Sequence, residues 1–248
     1  IWLVEDVPTL RTLVALRLRR AGADVIEAAA GAEVRALLPT ARRADLVCLD
    51  LGLPDVDGLE LAAELGADRC LAFTASTDAG TRERCLRAGL AGLVDKTDAG
   101  ALVPALLAAL DERRDATGAA ARIGTPVTGG EAALRRRYLR FLAEQRVALA
   151  ELFRDEGAPG RSLPTDPARV RSIAHRLVGT AVHFGLPELG PAARNLSAAL
   201  RGRDDRLARA AWERLDDAIA AALEAHHIAE ARRRRERKIP EEGVPCAS

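Results

Sequence analysis

The chain has 248 residues, 48% of them hydrophobic and 3% aromatic, with a formal net charge of +1. That length exceeds the common single-domain size and can fill two modest cores, while the near-neutral balance excludes a global electrostatic drive toward nucleic acid or membrane. No run of about twenty apolar residues exists and no signal peptide is visible, so an ordinary spanning helix is not expected within these residues.

The first half alternates two periodicities. Residues 1–4 form a short apolar strand that ends in Glu5 and Asp6, followed by a helix over 8–20, a strand over 23–27 and a helix over 30–39. A strand over 44–48 then runs through Leu49 into Asp50, a helix covers 57–66, and a strand over 70–73 ends in Thr74. A helix over 77–88, a strand over 92–94 leading into Asp95 and Lys96, and a helix over 99–113 complete the series. Such alternation predicts an α/β doubly wound parallel sheet of five strands covered on both faces, with ligands bound beyond the carboxyl ends of the strands.

The polar residues just named all stand at those carboxyl ends. Glu5, Asp6 and Asp50 would converge as three carboxylates, too repulsive to leave unbalanced and suited to a hard divalent cation such as Mg²⁺. Thr74 offers a hydroxyl to a phosphoryl oxygen and Lys96 a compact point charge. The chain has 35 arginines and only two lysines, Lys96 and Lys238, so a lysine at this place is chemically selective.

From Glu112 to Ala132 the sequence passes through breakers with no sustained period, which predicts a linker. About twenty flexible residues span roughly 25 Å on average, enough for the two halves to meet within one chain, although transfer between subunits is equally open. Beyond it the pattern is helical throughout: 132–155, a helix from Pro167 with Asp166 as its cap, 187–201, and a last helix from Asp204 past Leu223. Four amphipathic helices with short connections predict an all-α up-and-down four-helix bundle.

On the second of these helices Val170, Ile173, Ala174, Leu177, Ala181 and Phe184 fall on one stripe at about 100° per residue, and His175 lies roughly opposite. Gly179, one turn later on the outer face, costs about 1 kcal/mol against alanine there and wants a reason, one such being a close approach by another protein. A neutral imidazole is a nucleophile able to accept phosphoryl without a dedicated base. His183 is expected to face solvent two turns beyond His175, and the His226-His227 pair to end a helix. No histidine has metal-ligand spacing, so zinc is not expected. Arg232 to Lys238 is the one basic cluster and reads as a solvated helix end, with no accompanying recognition helix. Cys48, Cys70, Cys85 and Cys246 show no paired short spacing and read as reduced thiols of a cytoplasmic protein. With no methionine in the chain, the protein is expected to begin upstream of Ile1.

The first half resembles the receiver domain of response regulators, on Glu5-Asp6, the Asp50-Leu-Gly-Leu-Pro-Asp-Val-Asp-Gly58 run, Thr74 and Lys96. That resemblance implies a flavodoxin-like fold with 2-1-3-4-5 strand order and makes Asp50 the phosphoacceptor. It also implies Mg²⁺ binding by Glu5, Asp6, Asp50 and the Gly52 carbonyl, with Thr74 and Lys96 on the phosphoryl oxygens. Leu93 replaces the family's usual aromatic, Thr97 follows the lysine in place of proline, and the segment before Cys70 is short, so the third helix is expected to be clipped. The second half resembles the histidine phosphotransfer (HPt) family, whose pattern His-x-Leu-Lys-Gly-Ser/Thr plus a later glycine is matched by His175, Leu177, Gly179, Thr180 and Gly185. Val178 stands where that family usually has lysine, and Arg171, one turn before the histidine, is the expected substitute. Arg171, Val178, Gly179 and Val182 would then form the docking surface, with the two valines exposed beside the histidine.

The resemblances divide the chain into a receiver domain (1–115), a linker (116–131), an HPt bundle (132–238) and a tail (239–248). They imply a two-component phosphorelay protein, a phosphoryl acceptor and carrier rather than an enzyme, working with a histidine kinase and with other receiver or HPt domains. Neither membrane nor nucleic acid is an expected partner, and a homodimer through the receiver remains open. Three other readings stay open: a helical docking module that is never phosphorylated, the C-terminal part of a hybrid histidine kinase, and a transcriptional regulator contacting DNA through the basic terminus.

Overall fold

The computed structural model describes residues 1–38, 46–98, 100–117, 130–154 and 164–236. Most of the predicted linker, all of the predicted tail, the start of the predicted strand at 44–48 and the end of the basic cluster lie outside these residues.

Five parallel strands, β1 (Trp2–Val4), β2 (Ile26–Ala28), β3 (Val47–Leu49), β4 (Cys70–Thr74) and β5 (Gly92–Asp95), form one sheet in the order β2-β1-β3-β4-β5. The helices between and after them are α1 (Pro8–Arg20), α2 (Gly31–Leu37), α3 (Gly58–Leu65), α4 (Ala79–Arg87) and α5 (Leu102–Thr117). Strand alternation sorts the side chains onto two faces. Leu3, Cys48, Leu71, Phe73 and Val94 pack with Leu10, Val14 and Leu18 of α1 and Leu102, Leu106 and Leu110 of α5. Trp2, Val4, Val47, Leu49 and Cys70 pack on the other face with Val34 of α2 and with Leu61, Ala62 and Leu65 of α3. Both faces are therefore dry, as a parallel sheet requires.

Two boundaries differ from the sequence expectation for local reasons. β2 begins at Ile26 rather than 23, because the end of α1 closes through Gly22 at φ 88° and Ala23 donates its N–H back to the Leu18 carbonyl. Those residues are spent on a helix cap. α3 has 8 residues, and a short 3₁₀ turn (Ala67–Arg69) leads straight into β4.

The second half holds four helices, α6 (Glu131–Leu152), α7 (Pro167–Thr180), α8 (Leu189–Gly202) and α9 (Asp205–Glu236). Asp166 caps α7 by accepting from Arg169 N–H at 2.9 Å, with Pro167 in the first turn. α7 packs on α8, α8 on α9, and α9 back on α6. The predicted stripe of Val170, Ile173, Ala174, Leu177, Ala181 and Phe184 is buried in the common core. Tyr138 stacks on Phe184 at 4.1 Å between ring centres, Phe153 on Trp212 at 5.4 Å, and Arg146 forks onto Asp216 at 2.6 and 2.9 Å.

The halves are not separate. Leu13 of α1 belongs to the helical core, Leu16 packs against it, and Arg20 pairs with Glu131 at the start of α6 at 2.9 Å.

Tyr138 is fully buried and its hydroxyl bonds Thr180 Oγ1 at 2.7 Å, beneath the end of α7. Thr180 keeps a second partner, the Arg176 carbonyl, so Tyr138→Phe should cost only about 1 kcal/mol. Tyr138→Ala, which opens a cavity, should cost about 3–5 kcal/mol. Chemical denaturation of the two variants tests that ranking.

Candidate functional site: a carboxylate cluster covered by a histidine helix

The carboxyl edge of the sheet gathers the predicted polar residues. Glu5 and Asp6 follow β1, Asp50 follows β3, Thr74 ends β4 and Lys96 follows β5. Glu5, Asp50, Thr74 and Lys96 are buried and Asp6 is half-buried. Single carboxylate oxygens of Glu5, Asp6 and Asp50 lie within 4.8 Å of one another. Lys96 Nζ sits between two of these groups, 2.7 Å from Glu5 Oε2 and 2.7 Å from Asp50 Oδ2, and 5.3 Å above the Phe73 ring. Asp50 Oδ1 accepts from the Gly52 N–H at 2.9 Å, and Thr74 Oγ1 accepts from Ser76 N–H at 3.2 Å.

The electrostatics follow from burial and crowding. Desolvation pushes the Glu5 carboxyl up, the neighbouring Asp50 adds to this, and Lys96 offsets it only in part. Asp6 is raised for the same reasons, desolvation first and Asp50 second. Burial works against the ammonium of Lys96, but Glu5 and Asp50 together outweigh it and hold its pKa above the ordinary value. Three hard oxygen donors against one ammonium leave the cluster acidic. That donor set fits a divalent cation of the Mg²⁺ type.

His175 projects from α7 into this cluster. A Cβ placed on Gly52 would lie 3.1 Å from His175 Nε2 and 3.5 Å from Asp50 Oδ1. The imidazole nitrogen and the carboxylate oxygen are thus no farther apart than the sum of those distances. A cleft of about 10 Å³ between the halves is lined by Asp6, Asp50, Lys96, His175, Arg176 and Gly179, among others. His175 is exposed at its mouth, yet the surrounding atoms desolvate it enough to lower its pKa, with Lys96 and Arg176 contributing and Asp50 opposing.

The predicted docking set is corrected in part. Gly179 is the contact point: a Cβ there would meet Lys96 Cδ at 2.9 Å and Ala75 Cβ at 3.4 Å, so the close approach is made by the chain's own β5 end. Val178 is not exposed but buried in the helical core, since α8 widens the buried face of α7 beyond the predicted stripe. Val182 is half-buried, and Arg171, also half-buried, is not among the residues lining the cleft. Arg176 is there instead, unmarked in a sequence crowded with arginines.

His183 is also corrected. After Thr180 the chain tightens into a 3₁₀ turn (Ala181–Phe184), which rotates the side chain away from its α-helical direction. The ring is buried, bonds the Lys96 carbonyl through Nε2 at 2.8 Å and meets Phe73 edge-on at 5.7 Å. Nothing in its spacing marked this contact, because its partner is 87 residues away.

The fold and the acidic carboxyl edge define a doubly wound α/β module with a carboxylate cluster at the ends of its strands. Residues 1–107 match the family model described as the response regulator receiver domain, and a receiver domain of two-component signalling occupies that part of the chain. The sensor histidine kinase AruS of Pseudomonas aeruginosa is 34% identical over 212 residues, covering 76% of this chain and 20% of that one. A second P. aeruginosa relative, described as a transcriptional regulator, is 38% identical over 103 residues, 39% of this chain and 48% of its own. The chain therefore spans about half the length of one relative and a fifth of the other. Among solved structures, the BeF3-activated receiver domain of Klebsiella pneumoniae RstA is 27% identical, covering 43% of this chain and 93% of that one, with a TM-score of 0.39. Vibrio cholerae CheY4 is 24% identical over 45% of this chain and 95% of that one, at 0.38. No described helix is long and apolar enough to cross a membrane.

Two outcomes test the contact between the halves. Gly179→Leu should separate α7 from Lys96, read as a larger radius of gyration in small-angle scattering; an unchanged radius would refute the role given to the glycine. Burial holds the His183 pKa at about 4, with Arg17 and Lys96 lowering it further and Asp98 and the Lys96 carbonyl opposing. Because the folded value lies below the ordinary 6.5, protonation favours the undocked or unfolded state. The docked form should be at full stability above about pH 6.5 and lose it between there and about pH 4. His183→Gln should flatten the part of that loss belonging to this ring.

Proposed function

We propose that the chain is a phosphorelay protein in which the receiver is joined to an HPt domain formed by α6 to α9, with units 1–115, 116–131, 132–238 and 239–248. The observation that carries this reading is the approach of His175 Nε2 to the Asp50 carboxylate across Gly52. The alignment with AruS also supports it: 76% of this chain is more than residues 1–130 can supply, so the likeness extends into the helices.

In the forward direction an Asp50 carboxylate oxygen attacks the phosphorus of a phosphohistidine on a histidine kinase. The P–N bond breaks and its electron pair returns to the kinase imidazole. In the second step the neutral His175 Nε2 lone pair attacks the phosphorus of phospho-Asp50, the P–O bond breaks, and the electron pair leaves on the Asp50 carboxylate. The depressed pKa of His175 keeps that lone pair available near neutrality. Thr74 and Lys96 would meet the phosphoryl oxygens, and Lys96 Nζ already touches Asp50. Glu5, Asp6, Asp50 and the Gly52 carbonyl would hold Mg²⁺, which when bound offsets the charge of the transferring group. The chain is then an acceptor and carrier rather than a kinase, exchanging phosphoryl with a histidine kinase and with other receiver or HPt domains.

A second reading, a helical module that only docks, draws on Val178, which leaves no cation at that position of α7. Phosphosite mass spectrometry after exposure to phosphoramidate with Mg²⁺, under conditions that preserve acyl phosphate and phosphohistidine, separates the two. Label on His175 that vanishes in Asp50→Ala is the expected relay result. Label on Asp50 that never reaches His175, in this chain or from a second phosphorylated receiver, would sink it in favour of docking alone.

A further inference from the structure

Arg176 follows the proposed acceptor directly and lines the same cleft as Asp6, Asp50, Lys96 and His175. Its Nε is buried and has no hydrogen-bond partner among the described residues. Its charge acts on both sides of the gap, opposing the burial-driven rise of the Asp6 pKa on the receiver and adding to the lowering at His175 on the helix. Lys96, the other cation of the cleft, is already held by two carboxylates at 2.7 Å. A phosphoryl group arriving on Asp50 adds negative charge to three crowded carboxylates, and Arg176 Nε is a buried donor of the same cleft without a partner among the described residues. The planar guanidinium fork matches phosphoryl oxygens in pairs.

On this basis, and resting on the phosphorelay reading above, we propose that Arg176 is a catalytic residue that binds the phosphoryl oxygens within the Asp50–His175 cleft. Arg176 acts from the helical side and Lys96 from the sheet side, so the transferring group is flanked by a cation from each half. Because Arg176 is carried by α7, its charge reaches the phosphoryl group only when the helix is docked. Charge on the receiver alone is therefore left incompletely balanced until the acceptor arrives.

The test uses the full chain and beryllium fluoride, a stand-in for phosphoryl on Asp50, with Mg²⁺ in titration calorimetry. Arg176→Ala should weaken binding about tenfold to a hundredfold, the range of one charge-assisted hydrogen bond. Arg176→Lys should recover part of this and Arg171→Ala should match wild type, all with unchanged melting temperatures. Wild-type affinity in Arg176→Ala would overturn the assignment, and failure of the wild type to bind would overturn it together with the role of Asp50. Weakened binding in Arg176→Ala, with no label ever found on His175, would sustain the anion site and refute the relay.

Discussion

The arrangement depends on one buried ammonium. Lys96 reaches from the end of β5 across the sheet to touch Asp50 behind β3 and Glu5 behind β1. Removing the cation would strand carboxylates that burial already penalises, and breaking a buried pair on one side costs about 3–5 kcal/mol. The cluster therefore exists because the lysine does. A guanidinium would fork rather than sit between two oxygens from different strands.

The same residue is the seat of the helical half. Its side chain lies against Gly179 and its carbonyl accepts from His183, so α7 is referenced to the residue that also organises the carboxylates. Around this seat the contact is reinforced by Leu13 and Leu16 of α1 in the helical core and by the arginines of α1 on Glu131. The exposed ion pairs are worth little individually; the buried leucines and the glycine contact set the fit.

Docking turns two weak chemical features into one site. An acidic cluster alone repels further anionic charge, and a histidine on an isolated helix is an ordinary surface imidazole. Brought together they place His175, Asp6, Asp50, Lys96 and Arg176 around one cleft.

The sheet and its carboxyl edge were legible in the sequence. Strand–helix alternation imposes a parallel sheet, and a chain that enters each loop from the same edge delivers Glu5, Asp6, Asp50, Thr74 and Lys96 to one place. The helices of the second half were equally legible, down to the Asp166 cap and the buried stripe of α7, because caps and periodicity are local. Glycine at position 179 carried a signal of close approach, but the approaching surface is the chain's own Lys96 and Ala75 and not the other protein that the sequence suggested. The sequence could not place His183, Val178 or Arg176. The direction of His183 depends on where an α-helix tightens to 3₁₀, the burial of Val178 on how widely α8 covers α7, and the value of Arg176 on which surface faces it. Those are contacts between residues tens of positions apart, decided by packing, and periodicity within one helix contains no information about them.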